Sequence, residues 1–154
     1  MRRLKYVAVA FVILLAAAQF VRPERANPVT DPDRTIKAHV GAASGLAAIL
    51  DRSCGTCHSN ETVWPSYSQV APLSWLMARA VAEGRQAVNF SEWGTYSPDQ
   101  QQALLAASCD DVSTGRMPGL WTWLDQSAQL SPQDIETICA ASRPISAQAT
   151  GVSP

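Results

Sequence analysis

Apolar residues open this chain as a run from Tyr6 to Phe20, interrupted only by Gln19 and set behind Arg2, Arg3 and Lys5. Further on they thin to helical spacing. Ile36, Val40, Ala43, Ala47 and Leu50 recur three or four apart, with Leu46 and Ile49 widening the face, which predicts one amphipathic helix from Thr35 into Cys54. Another is predicted from Pro72, a residue suited to a first turn, with Leu73, Leu76, Met77, Ala80 and Val81 on one stripe and an end around Val88 to Phe90, after Gly84 has weakened it. Two later starts share a signal, Ser97-Pro98-Asp99-Gln100 and Ser131-Pro132-Gln133-Asp134, each a Ser N-cap before Pro. The first helix then carries Leu104, Leu105, Cys109 and Val112, and the second Ile135, Ile138 and Cys139. These patterns predict an all-α fold: one small domain over residues 35–143, behind an apolar segment (1–22) and an extended, Pro-bearing linker (23–34), with a small, polar, disordered tail (144–154).

The N-terminal run has basic residues on one flank and Arg22, Glu24 and Arg25 on the other, which points to export. Its 15 residues rise about 22 Å as a helix, short of a hydrocarbon core of about 30 Å. Ala16-Ala17-Ala18 suits signal-peptide cleavage, while the prolongation through Gln19-Phe20-Val21 suits a short uncleaved anchor, and both place the remainder in the periplasm. Without residues 1–25 the chain keeps seven basic and 12 acidic side chains, a net charge of −5. No basic patch is left to neutralise phosphates, so nucleic acid is an unsuited partner, and the acidic surface would meet a basic docking face on a redox partner protein.

Chemistry concentrates in Cys54-Gly55-Thr56-Cys57-His58. Two thiols and an imidazole on one helical turn can hold one porphyrin, the sulfurs as thioethers on its vinyl groups and His58 on the iron. A thiol-disulfide centre would expect a βαβ context, and zinc would need a second ligand pair that His39 and the distant Cys109 and Cys139 do not supply. The expectation is therefore one covalent c-type haem. His39 reads as a surface or core-edge histidine and Met77 as core. Trp64, Pro65 and Tyr67 follow the motif closely, so Trp64 and Tyr67 can line the porphyrin or reach a propionate, or simply pack a loop.

Gly115-Arg116-Met117-Pro118-Gly119 holds a methionine outside any helical stripe. Met117 is the candidate sixth ligand, against an open or water-bound site, with Trp121 and Trp123 beyond it to exclude water or to pack the core. Cys109 and Cys139 each sit on an apolar helix face in an exported chain, so they are a candidate disulfide, the alternative being two buried thiols.

Several further strings carry a family resemblance: Cys54 to Thr62, Trp64-Pro65 with Tyr67-Ser68, Ala71 to Trp75, Asn89 to Trp93, Met117-Pro118 and Leu130-Ser131. Over about residues 36–143 the chain resembles the bacterial haem-binding domain family of exported, monohaem cytochrome c-like proteins. The resemblance implies a single covalent haem on Cys54 and Cys57, His58 as iron ligand, and a mostly helical domain behind an N-terminal anchor whose end resembles Gln19-Phe20 and Arg22-Pro23. Members often show a His where this chain has Asp125-Gln126. Three functions follow as expectations: single-electron transfer with the sixth site filled by Met117, gas or small-ligand sensing at an open iron, and peroxidase-like catalysis, for which the chain offers no distal base beyond His39 and scattered carboxylates. The chain thus reads as a carrier and not an enzyme.

Overall fold

Gly41 and Ser44 cut the first predicted amphipathic helix in two. Gly41 takes a positive φ of 86°, and Ser44 accepts the Ala47 N–H at 3.1 Å to start a new helix. The computed structural model, which describes residues 2–42, 44–119, 123 and 125–143, is all-helical. The helices are α1 (Arg2–Ala18), α2 (Ile36–Val40), α3 (Gly45–Ser53), α4 (Gly55–His58), α5 (Leu73–Ala87), α6 (Pro98–Ser113) and α7 (Pro132–Ala141). Short 3-10 turns fill the connections at Pro32–Arg34, Ser66–Gln69, Phe90–Thr95 and Gln126–Ala128. Ala43, Trp121 and the tail 144–154, on all of which expectations were placed, lie outside the described residues.

The core gathers Ile36 of α2, Leu46, Ile49 and Leu50 of α3, Phe90 and Trp93 after α5, Val112 of α6 and Ile138 of α7. Met77 and Val81 of the predicted α5 stripe are buried at 2% exposure, whereas Leu76, placed on the same stripe, is 51% exposed. The two Ser-Pro starts become capping boxes: Ser97 with Gln100, and Ser131 with Asp134. Cys109 and Cys139 form a disulfide with Cα atoms 4.7 Å apart, joining α6 to α7.

Asp134 serves three partners. It accepts from the Ser131 N–H and hydroxyl at 2.8 Å each and pairs with Arg52 of α3 at 2.9 Å. These bonds, the Ser131 backbone bond foremost, hold its carboxyl below the ordinary value. A depressed carboxyl stabilises the fold fully above its unfolded pKa of about 4 and loses that contribution as pH falls through the folded value. Asp134→Asn is therefore expected to lower the thermal midpoint at neutral pH and to flatten its decline below about pH 4, as read by circular dichroism melts against pH.

The segment expected to be an extended spacer is instead strapped to the domain. Gln19 exchanges hydrogen bonds with the Ala71 backbone, donating at 3.3 Å and accepting at 3.0 Å. Trp75 donates to the Val21 carbonyl at 2.7 Å, Arg25 to Ser68 O at 3.2 Å, and Asn27 to Thr62 O at 2.9 Å. Arg85 closes the strap, donating to Ala26 O and to Asn27 Oδ1 at 2.8 Å. Backbone carbonyls of an irregular strap need donors, and the domain's Trp75 and Arg85 supply them. Among the described residues no helix is long and apolar enough to cross a membrane.

Candidate haem site

α4 is one turn long, and its shortness sets the geometry. The Cys57 and His58 N–H groups both bond the Cys54 carbonyl, at 3.1 and 3.0 Å, so the two thiols and the imidazole leave a single turn. His58 Nδ1 lies 3.2 Å from the Val88 carbonyl. A carbonyl can only accept, so Nδ1 carries the proton and Nε2 keeps its lone pair. Burial pushes the His58 pKa down, against the Val88 and Gly84 backbone bonds, which leaves the ring neutral at neutral pH. This is the tautomer of a metal-ligating histidine: Nδ1 anchored to a backbone carbonyl, Nε2 carrying the lone pair.

An aromatic file backs the ring. Phe90 stands 5.9 Å from His58 by ring centroids, Trp93 6.4 Å from Phe90, and Tyr96 edge-on to Trp93 at 5.9 Å. Polar bonds fix the loop leaving the motif. Asn60 donates its backbone N–H to Ser91 Oγ at 3.0 Å and its amide to Glu92 at 3.2 Å, and accepts from Asn89 at 2.8 Å. The Asn89 to Trp93 string thus cradles the motif from behind. On the other side Arg85 donates to Ser59 O at 2.7 Å and Thr62 Oγ1 at 2.9 Å, so one guanidinium spans strap and loop.

Gly84 gives α5 its close approach. A Cβ there would stand 2.6 Å from Cys57 O and 3.0 Å from Cys57 C. Its sequence reading, a weak point near a helix end, is incomplete: the absent side chain lets α5 lie against the motif backbone.

Cys54 and Cys57 are free thiols. Burial, with the neighbouring Cys57 adding and Arg52 opposing, pushes Cys54 up to about 12, and burial raises Cys57 against the pull of Arg85. Thiol-disulfide exchange needs a depressed thiol, so these sulfurs do not suit it. Nor do the described residues bring three or more His, Cys, Asp or Glu together as a metal-ligand cluster. A porphyrin suits what is present: two unpaired thiols, an imidazole whose Nε2 carries the lone pair, and the buried Trp64 Nε1, which finds no hydrogen-bond partner among the described residues. An indole N–H in that state suits a carboxylate acceptor such as a propionate. Tyr67 also belongs here. Burial raises its phenol, with further rises from the charges of Asp125 and Cys57, so both groups lie within its electrostatic reach.

Met117 sits on a return turn at the end of α6. Gly115 adopts φ 72°, and the Met117 N–H bonds the Asp111 carbonyl at 3.2 Å. Arg116 locks the turn by bonding Asp111 at 2.7 Å and Asp110. Asp111 in turn acts electrostatically on His58, raising its pKa slightly against the effect of burial. The Met117 side chain is 44% exposed. Trp123 is 79% exposed, so of its two sequence readings the one that packs it in the core does not hold. His39 is an exposed, satisfied histidine, its Nδ1 2.9 Å from Thr35 O.

No curated protein and no solved structure matches this sequence. A family model does: the haem-binding domain matches residues 13–142, reaching from the last turns of α1 through α7 and so including the strap. On the motif, the anchored imidazole and this match, the chain belongs to the haem-binding domain family.

Proposed function

We propose that the chain is a c-type monohaem electron carrier of the periplasm, held at the inner membrane by α1. Cys54 and Cys57 hold the porphyrin as thioethers and His58 Nε2 ligates the iron. The observation that carries this reading is the His58 Nδ1 bond to Val88, which leaves the lone pair on Nε2 on the turn that bears both thiols. When bound, the haem supplies a one-electron couple. The chain's own residues orient the imidazole, and Trp64 and Tyr67 serve the porphyrin edge. Met117, on the turn closed by Gly115, would supply a thioether as the second iron ligand, which would raise the potential into the range of a His/Met carrier. The acidic domain docks on a basic redox partner protein.

The half-exposed Met117 side chain favours one second reading, in which the loop yields the iron to a gas or small ligand. Spectra separate the two. The full chain, coexpressed with haem-attachment machinery, is expected to carry haem that acid-acetone does not extract, and the Cys54→Ser, Cys57→Ser double variant is expected to release it. Covalent haem surviving in that variant would overturn the thioether assignment. A Met–iron charge-transfer band lost in Met117→Ala supports the carrier, whereas rapid carbon monoxide binding by the wild-type ferrous form supports the ligand binder.

A further inference from the structure

The length of α1 and the way its end is bonded to the domain together locate a lipid-contact surface. The inference rests on the reading of α1 as a membrane anchor. α1 has 17 residues, about 25 Å of rise against a hydrocarbon core of about 30 Å. Its first turn is spent on Arg2, Arg3 and Lys5, whose long side chains reach for the headgroups. An inserted α1 therefore falls short, and drawing in the residues after it relieves the mismatch alongside local thinning of the bilayer. Gln19, Phe20 and Val21 continue the coil through N–H bonds to the carbonyls three residues back.

Those residues are not free to extend, because they are bonded to the domain. Gln19 is bonded twice to Ala71, and the Val21 carbonyl once to Trp75 in the first turn of α5. Drawing Phe20 and Val21 into the bilayer draws this edge of the domain with them. The edge is built for it: Phe20 is 89% exposed, Val21 65%, Val70 55%, Leu76 51% and Trp75 38%, and the exposed Arg22 stands beside them. An indole flanked by aliphatic side chains and a cation matches the headgroup boundary.

We infer that the elbow formed by Phe20, Val21, Val70, Trp75 and Leu76 lies against the phospholipid surface, so that the domain rests on the membrane with the first turn of α5 at headgroup depth. The strap then fixes its height and orientation over the bilayer.

The test uses the full haem-loaded chain in vesicles of phosphatidylethanolamine and phosphatidylglycerol, with a photoreactive amino acid placed at Leu76 or, as control, at exposed Glu136 of α7. Lipid adducts several-fold more abundant at position 76 than at 136, identified by mass, are expected. Chain that floats with the vesicles yet gives no excess of lipid adduct at 76 overturns the contact surface while leaving the anchor intact. Adducts between two copies at 76 overturn it in favour of self-association. Chain that does not float refutes the anchor reading as well.

Discussion

Gly84→Ala is expected to cut the fraction of chain that carries covalent haem and to lower the stability of the chain that remains. Alanine in a helix is ordinarily an improvement, worth at most about 1 kcal/mol over glycine. Here the added Cβ meets Cys57 O at 2.6 Å, Cys57 C at 3.0 Å and Cys57 Cβ at 3.2 Å. None of these is the tip of a flexible side chain. Relief requires α5 and α4 to part, and overpacking of this kind costs about 1 to 3 kcal/mol, enough to outweigh the propensity gain. The displaced atoms belong to Cys57, one of the two thiols proposed to hold the porphyrin, and Val88, one helical turn beyond Gly84, anchors His58 through its carbonyl, so the separation also loosens the imidazole. The measurements are haem-to-protein ratio and thermal midpoint, with Gly45→Ala as the comparison. A Cβ at Gly45 meets nothing within 4 Å, so that variant should match or exceed the wild type. Normal loading and an unchanged midpoint in Gly84→Ala would refute the close-contact role.

What the sequence displays and what it conceals divide along a physical line. The Ser-Pro helix starts, the burial of Met77 and the pairing of Cys109 with Cys139 are legible because side-chain identity at fixed spacing causes each of them. The break at Gly41 is a local conflict in which an N-cap at Ser44 outweighs a continuing apolar period. The partner of His58 is harder to foresee, since it is the backbone carbonyl of Val88, 30 residues away, and any residue presents the same carbonyl. Arg85 is hidden for a related reason. It reads as an ordinary charge near a helix end, yet it donates to Ser59, Thr62, Ala26 and Asn27 because the fold gathers their acceptors around it. The strap illustrates the same limit. Three prolines between residues 23 and 33 suggest an extended chain, which is correct locally, but extension leaves backbone groups that bond whatever donors lie alongside.

Removing the Cys109–Cys139 bridge should have the other large effect, and it should reach the iron. The bridge closes a loop of 30 residues, for which the chain-entropy account gives about 3 to 4 kcal/mol. In a domain this size that loss lowers the thermal midpoint by about 10 °C or more. The enclosed segment includes the Met117 turn, hung from α6 by the Met117 bond to Asp111 and closed by the Gly115 reversal. With the bridge intact, α6 and α7 hold both ends of that segment. Without it, α7 keeps its packing through Ile138 and its Asp134 pair with Arg52, so the domain stays folded while the segment between the helices gains freedom. A Cys109→Ala, Cys139→Ala variant is therefore expected to retain covalent haem on Cys54 and Cys57 but to bind carbon monoxide faster in the ferrous state than the wild type. Carbon monoxide rates unchanged beside a lowered midpoint would show that the bridge stabilises the helices alone, and that Met117 does not depend on it.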